Sequence, residues 1–301
     1  MGLVGARGVV MDLTVAVFSY NRGGYLANCL GSVRRNMPFA RIRIYDDNST
    51  DPETLAVLEA SALPVLRPTQ AGVGRHGGLY ANMNRALAEC DTGLILFLQE
   101  DMQIVRPVAG QELGQIGRVL GPGRAFVFPG FMKATSVDRY RRQMRPDAVL
   151  RAYVGAAADS GRITYVDAMI ADVAKLRAVN WVFADTERAN AAQARGLFAD
   201  MPYLADPFLF YCPEVPIFRN RQKSLSSRIA ARLTGEDVKA FHDLTVADVQ
   251  RLQQRPVSDW PVAESWLVPV NPGVRRPFVF KDVKVRWWLN LLNKVEIWAQ
   301  R

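Results

Sequence analysis

The sequence predicts an α/β protein: a mostly parallel sheet flanked by helices, with a helical C-terminal extension. Two observations carry this. Over the first hundred residues, short apolar or β-branched runs alternate with stretches of helical periodicity, the pattern of parallel strands with helices on both faces. Each run also ends in a polar turn, and open α/β sheets bind ligands beyond the carboxyl ends of their strands.

Taken in order, Leu13-Thr14-Val15-Ala16-Val17-Phe18 reads as the first strand, closed by Ser19-Tyr20-Asn21-Arg22-Gly23-Gly24. A helix follows with Tyr25, Leu26, Cys29, Leu30 and Val33 on one face. Ile42-Arg43-Ile44-Tyr45 is the second strand and ends in Asp46-Asp47-Asn48-Ser49-Thr50-Asp51. Thr50 or Asp51 caps the next helix, with Glu53 well placed in its first turn. Leu63-Pro64-Val65-Leu66 is a weak third strand. Gly72 to Gly78 is a glycine-rich loop, and Leu79 to Cys90 a helix with Leu79, Met83, Ala86 and Leu87 inward. Leu94-Ile95-Leu96-Phe97-Leu98 is a buried strand that delivers Gln99-Glu100-Asp101 at its end. Oxygen donors there suit a hard divalent cation such as Mn²⁺ or Mg²⁺. The plain alternative is that Glu100 and Asp101 open a solvated loop.

Beyond Pro107 the signals thin. Ala125 to Gly130 reads as a strand and turn, and Arg139, Arg141, Arg142, Arg145 and Arg151 as a basic, loop-rich stretch. Ile163 to Asp167 is expected to be a short strand and Ala168 to Val179 a helix. From Pro216 the composition turns basic, and Val238 to Gln254 reads as a helical hairpin with Thr245 capping toward Asp248. The segment from Val285 to Trp298 is amphipathic, with Trp287, Trp288, Leu291, Leu292, Val295 and Trp298 at helical spacing. Tryptophans among basic neighbours suit a helix lying in a membrane interface. The same face also suits packing on the preceding domain or on a partner subunit. The expected organisation is a loose tail at 1–10, an α/β domain at 11–216 and a basic helical extension at 217–301.

Composition narrows the function classes. A chain of 301 residues with 49% hydrophobic content can bury a core without staples. Three scattered cysteines, Cys29, Cys90 and Cys212, and two histidines, His76 and His242, argue against a disulfide framework or a zinc site. No charged-then-apolar leader opens the sequence, and its hydrophobic segments are too short to span a bilayer. The formal charge of +9 suits an anionic surface or a phosphorylated substrate. No zinc knuckle, aromatic RNA-binding motif or helix-turn-helix signature accompanies it, so nucleic acid is not an expected partner.

As a set, Val17-Phe18-Ser19-Tyr20-Asn21-Arg22, Asp46 to Asp51, Asn84-Arg85-Ala86 and Leu98-Gln99-Glu100-Asp101 resemble the family-2 glycosyltransferases of the GT-A fold. The resemblance covers roughly the first hundred residues and implies a Rossmann-like, GT-A-type sheet. It further implies transfer of a sugar from a nucleotide diphosphate, UDP first among them, to a glycan, lipid or protein hydroxyl, usually with inversion. Mn²⁺ or Mg²⁺ is the implied cofactor. On this mapping Ser19, Tyr20, Asn21, Arg22, Asp46, Asp47, Arg75 and Glu100 face the nucleotide sugar. The family's Asp-x-Asp motif falls on Gln99-Glu100-Asp101, so metal ligation rests on Asp101, with Gln99 a departure. Family members place a catalytic acid near a later helix start, which nominates Glu187, then Asp185, with Asp167 as a competitor. The implied setting is polysaccharide or cell-envelope synthesis in the cytoplasm or at the inner membrane face.

Two other readings stay open. With Gln99 in the motif's first position, the protein could be a non-catalytic nucleotide-sugar binding module. Gly72, Gly74 and Gly77 also match a dinucleotide fingerprint, which would suit an NAD-dependent oxidoreductase. That loop, however, lies third in the strand–helix series, and Pro68-Thr69-Gln70 separates it from its strand.

Overall fold

The computed structural model describes residues 12–68, 78–156, 163–213, 224–235, 238–279, 284 and 286–299. The tail at 1–10 and the glycines at 72, 74 and 77, with Arg75, lie outside the described residues. The chain runs through β1 (Leu13–Ser19), α1 (Gly23–Asn36), β2 (Arg41–Asp46), α2 (Pro52–Ala60), β3 (Val65–Leu66), α3 (Leu79–Glu89) and β4 (Leu94–Gln99). β1 pairs in parallel with β2 on one side and β4 on the other, and β3 extends the sheet beyond β2.

β1 is buried along its whole length, so its sequence needs no polar alternation. Val15, Val17, Leu94, Leu96 and Leu98 pack on one face against Leu26, Cys29, Leu30 and Val33 of α1. Ala16, Phe18, Ile95 and Phe97 pack on the other against Tyr80, Met83, Ala86 and Leu87 of α3. Of the two candidate caps for α2, the structure selects Asp51. Its carboxylate accepts the Thr54 N–H at 2.9 Å, and Pro52 occupies the first turn.

The second half adds β5 (Met102–Ile104), α4 (Glu112–Leu120), β6 (Phe126–Val127), a 3₁₀ turn (Ala134–Ser136), α5 (Val137–Gln143), β7 (Met144–Asp147) and β8 (Ala152–Gly155). It continues through β9 (Met169–Asp172), α6 (Val173–Ala178), α7 (Glu187–Leu197), β10 (Tyr203–Leu204) and β11 (Leu209–Tyr211). The main sheet has the order β3-β2-β1-β4-β9-β6, and β9 is antiparallel to β4. β10-β8-β7 and β11-β5 form two small antiparallel sheets.

Three expectations are corrected here. The strand expected at Ile163 to Asp167 is absent: the strand is β9, and the following helix starts only at Val173. Pairing with β4 decides this, and Asp172 ends the strand by capping α6 through the Lys175 N–H. The arginine stretch is not a loop but α5 and β7, and Arg151 is committed to a two-pronged ion pair with Asp206 at 2.8 and 2.7 Å.

The hairpin expected from Val238 is half extended. The buried Gln103 side chain donates to the Phe241 carbonyl at 2.7 Å and accepts its N–H at 2.9 Å, holding that segment as a strand would. The helices that follow are α8 (Leu225–Thr234), α9 (Val246–Gln254), α10 (Ala263–Trp266) and α11 (Trp287–Ala299). The Thr245–Asp248 capping box is present at the start of α9. Phe241, Leu244, Leu252 and Phe278 share one apolar cluster with Val105, Phe131 and Phe210. Among the described residues no helix is long and apolar enough to cross a membrane.

Candidate active site

The register of the three central strands sets the site. Ser19 is level with Asp46 and Phe18 with Gln99. Tyr20, Asp47 and Asp101 therefore leave the sheet at the same level, with neighbouring strands about 5 Å apart.

The turn after β1 is locked to the turn after β2. Asn21 adopts a left-handed backbone (φ 51°), a conformation Asn tolerates better than most residues. Its side-chain carbonyl accepts the N–H groups of Thr50 and Asp51, and its own N–H donates to the Ser49 hydroxyl. Asp46 is fully buried and accepts the Ser49 N–H at 2.9 Å, the Ser49 hydroxyl at 2.5 Å and Arg67 at 3.2 Å. Asp47 is buried beside it and accepts the Gly78 N–H at 2.6 Å. A Cβ at 78 would fall 2.4 Å from the Asp47 carboxylate and force that side chain to shift.

At the end of β4, the Arg22 guanidinium donates to Asp101 Oδ2 at 3.1 Å and lies 3.6 Å from Glu100. Asp101 is buried, and its Oδ1 has no hydrogen-bond partner among the described residues. The buried Ser19 hydroxyl is in the same condition. The Asp101 backbone carbonyl accepts the Cys212 N–H at 2.7 Å, which ties β4's end to the end of β11. Among the described residues no three His, Cys, Asp or Glu side chains form a ready cation cage. A divalent cation fits here only through the orphaned Asp101 oxygen with Glu100 beside it, taking its other ligands from phosphate and water.

The three candidate acids lie differently. Asp167 accepts the Tyr80 hydroxyl at 3.1 and 3.3 Å. Burial pushes its carboxyl above the usual range, against the pull of the neighbouring Tyr165 and Tyr80 phenols. Tyr80 and Tyr165 are in turn pushed up, first by burial and then by the Asp167 charge. Glu187 is exposed at the first position of α7, which Thr186 caps, and its charge reaches Tyr80, Tyr165 and Lys133. Asp185 is exposed on the approach to α7.

The start of α3 links the two sides: Gly78 binds Asp47 and Tyr80 binds Asp167. Sequence reasoning passed over Tyr80 and Lys133. The Lys133 ammonium sits 4.3 Å over the Tyr211 ring, and burial lowers its pKa. No spacing in the sequence joins residue 80 to 167 or 133 to 211. The only local hint is a tyrosine in the first turn of a helix behind a glycine.

Residues 14–117 match the family model described as Glycosyl transferase family 2. That match runs from β1 into α4, the segment that carries the parallel sheet and its acidic strand ends. Among solved structures, S. aureus TarS 1-349 is similar at 17% identity and TM-score 0.48, over 80% of this chain and 69% of that one. A longer S. aureus TarS chain is spanned over 42% of its length. The mannosyltransferase PcManGT from Pyrobaculum calidifontis, in complex with GDP-Man and Mn²⁺, is similar at 13% identity and TM-score 0.45, over 65% of this chain and 55% of its own. No curated protein sequence matches the chain.

Proposed function

We propose that the protein transfers a sugar from a pyrimidine nucleotide diphosphate, UDP first among them, to a glycan, lipid or protein hydroxyl, with inversion at the anomeric carbon. The observation that carries this is the levelling of Tyr20, Asp47 and Asp101 on one sheet edge, with an orphaned carboxylate oxygen on Asp101. Tyr20 stacks on the base, and Asp47 accepts an imide N–H or a ribose hydroxyl. Ser19, Asn21 and Asp46 shape that turn, and Arg75 is proposed to meet the diphosphate from the glycine loop. Arg22 holds Asp101 and Glu100 in place. A bound Mn²⁺ or Mg²⁺ on Asp101, with Glu100 beside it, would neutralise charge on the departing diphosphate.

The acceptor hydroxyl loses its proton to a carboxylate as its oxygen bonds to the anomeric carbon and the bond to diphosphate breaks. Asp167 is favoured for that role. Its raised carboxyl brings its basicity closer to working pH, and Tyr80 orients it. Glu187 is next in order because its charge reaches the same tyrosines, and Asp185 last. We infer a cytoplasmic setting at the inner membrane face, in polysaccharide or cell-envelope synthesis.

A thermal-shift panel of nucleoside diphosphates and dinucleotides, with and without Mn²⁺, tests this reading, because ligands of the folded state raise its melting point. Stabilisation by UDP that needs Mn²⁺ and disappears in Asp101→Ala is the expected result. Metal-independent stabilisation would favour a binding module. A response to NAD alone would overturn the proposal in favour of the glycine loop.

A further inference from the structure

α11 carries most of its apolar residues on the side turned away from the protein. Leu289, Asn293 and Glu296 recur at helical spacing and face α8. Leu289 is fully buried against Ala230, and Glu296 accepts the Leu225 and Ser226 N–H groups at the start of α8. The two helices therefore run antiparallel, one capping the other. On the opposite side of α11, Trp287 and Trp298 are each 79% exposed, and Trp288, Leu291 and Val295 are exposed between them. A helix that docks to complete a core does the reverse. α8 adds exposed Leu225 and Leu233 beside exposed Arg228 and Arg232.

Charge selects the occupant of this face. Residues 224–235, 284 and 286–299 carry Arg228, Arg232, Lys284, Arg286 and Lys294 against a single acid, Glu296, which is already spent on α8. A second copy of the chain would bring like charge to like charge, whereas an anionic bilayer would complement it. Thirteen residues of helix are about 20 Å long, too short to cross a hydrocarbon core of about 30 Å but suited to lying in its surface. Tryptophan favours that depth because its ring is apolar and its N–H is polar.

We propose that the α8–α11 pair is a peripheral membrane-docking surface for anionic phospholipid, with Trp287, Trp288, Leu291, Val295 and Trp298 inserted at headgroup level. The basic side chains then meet lipid phosphates. This goes beyond the proposed transfer reaction and stands independently of it.

The test is co-sedimentation of the full chain with phosphatidylcholine vesicles, with and without phosphatidylglycerol, alongside analytical ultracentrifugation without lipid. Binding should require phosphatidylglycerol, weaken with salt, and shift tryptophan emission to the blue. The double variant Trp287→Ser, Trp298→Ser should lose roughly tenfold in binding. Lys294→Glu should lose roughly tenfold in binding to the phosphatidylglycerol vesicles. Both substitutions are on solvent-facing positions, and an unchanged thermal melt will show that the variants are folded. A wild-type chain that ignores anionic vesicles, a tryptophan variant that binds as wild type, or self-association through these tryptophans without lipid binding would each overturn the proposal. None of these readouts uses nucleotide or transfer, so failure here removes the inferred membrane-face setting and leaves the transfer reaction itself untouched.

Discussion

At the end of β2, Asp46 keeps no oxygen for anything outside the protein. Ser49, three residues on, donates through both its N–H and its hydroxyl, and Arg67 closes the remaining side. At the end of β4, among the described residues, Asp101 receives Arg22 on Oδ2 and leaves a buried Oδ1 without a donor. Both acids close parallel strands of one sheet, and both look like turn residues in the sequence. The difference is the local supply of donors. The chain after Asp46 folds back on it, whereas the chain after Asp101 enters β5 and offers its backbone to β11 instead. A buried acceptor left unmatched is costly, a cost the proposed cation on Asp101 would relieve.

The largest effect should come from breaking this contrast on both sides. Asp101→Ala is expected to lower transfer about 10³-fold, equivalent to about 4 kcal/mol, while Glu100 stays beside Arg22 and limits the loss of stability to less than that of Asp46→Ala. Asp46→Ala should do the opposite. It strands the Ser49 and Arg67 donors and should cost about 3 kcal/mol of stability, read by urea unfolding. If Asp101→Ala unfolds the protein, or Asp46→Ala leaves the urea midpoint where it was, the contrast is wrong.

A smaller effect should sharpen it at Asp47. In Gly78→Ala the new methyl meets the carboxylate at 2.4 Å, which should cost about 2 kcal/mol. Nucleotide affinity should fall with it, measured by titration calorimetry. Unaltered affinity would show that Asp47 does not face the nucleotide.

The smallest effect concerns Asp167. Its carboxyl is raised by burial, so proton binding favours the folded state. That contribution is full below the unfolded carboxylate range and is lost as pH rises through the raised folded value. At neutral pH the buried charge is a cost, so Asp167→Asn should raise the melting temperature slightly, and the gain should shrink on acidification. If Asp167 is the base, the same variant loses transfer, and wild-type activity falls as pH drops through the raised value. A stability gap that widens on acidification would contradict the burial argument.

The legible part of the site was the part written in consecutive residues. The Tyr-Asn-Arg turn, the Asp-Asp turn and the Glu-Asp end of β4 each follow an apolar run, and a parallel sheet must bring such ends to one edge. The roles of Tyr80 and Lys133 were not legible. Tyr80 reaches Asp167 across 87 positions of chain, and Lys133 finds Tyr211 because Gly130 bridges to Leu209 and the Phe131 N–H donates to the Leu209 carbonyl, laying that segment beside β11. The misplaced strand at 163–167 has the same origin. Both it and β9 are short apolar runs, and only β4's free edge chooses between them.

By itself, then, the sequence determined β1, β2 and β4, the helices between them and the polar edge they share, because burial on two faces imposes a local pattern of apolar residues. It also determined that α11 is amphipathic. The tertiary structure decided which acid serves the fold and which is left open, where the antiparallel β9 joins the sheet, and which way α11 turns its tryptophans. Those outcomes depend on donors, edges and partners supplied from distant parts of the chain, and periodicity records that a residue is apolar without recording what it will meet.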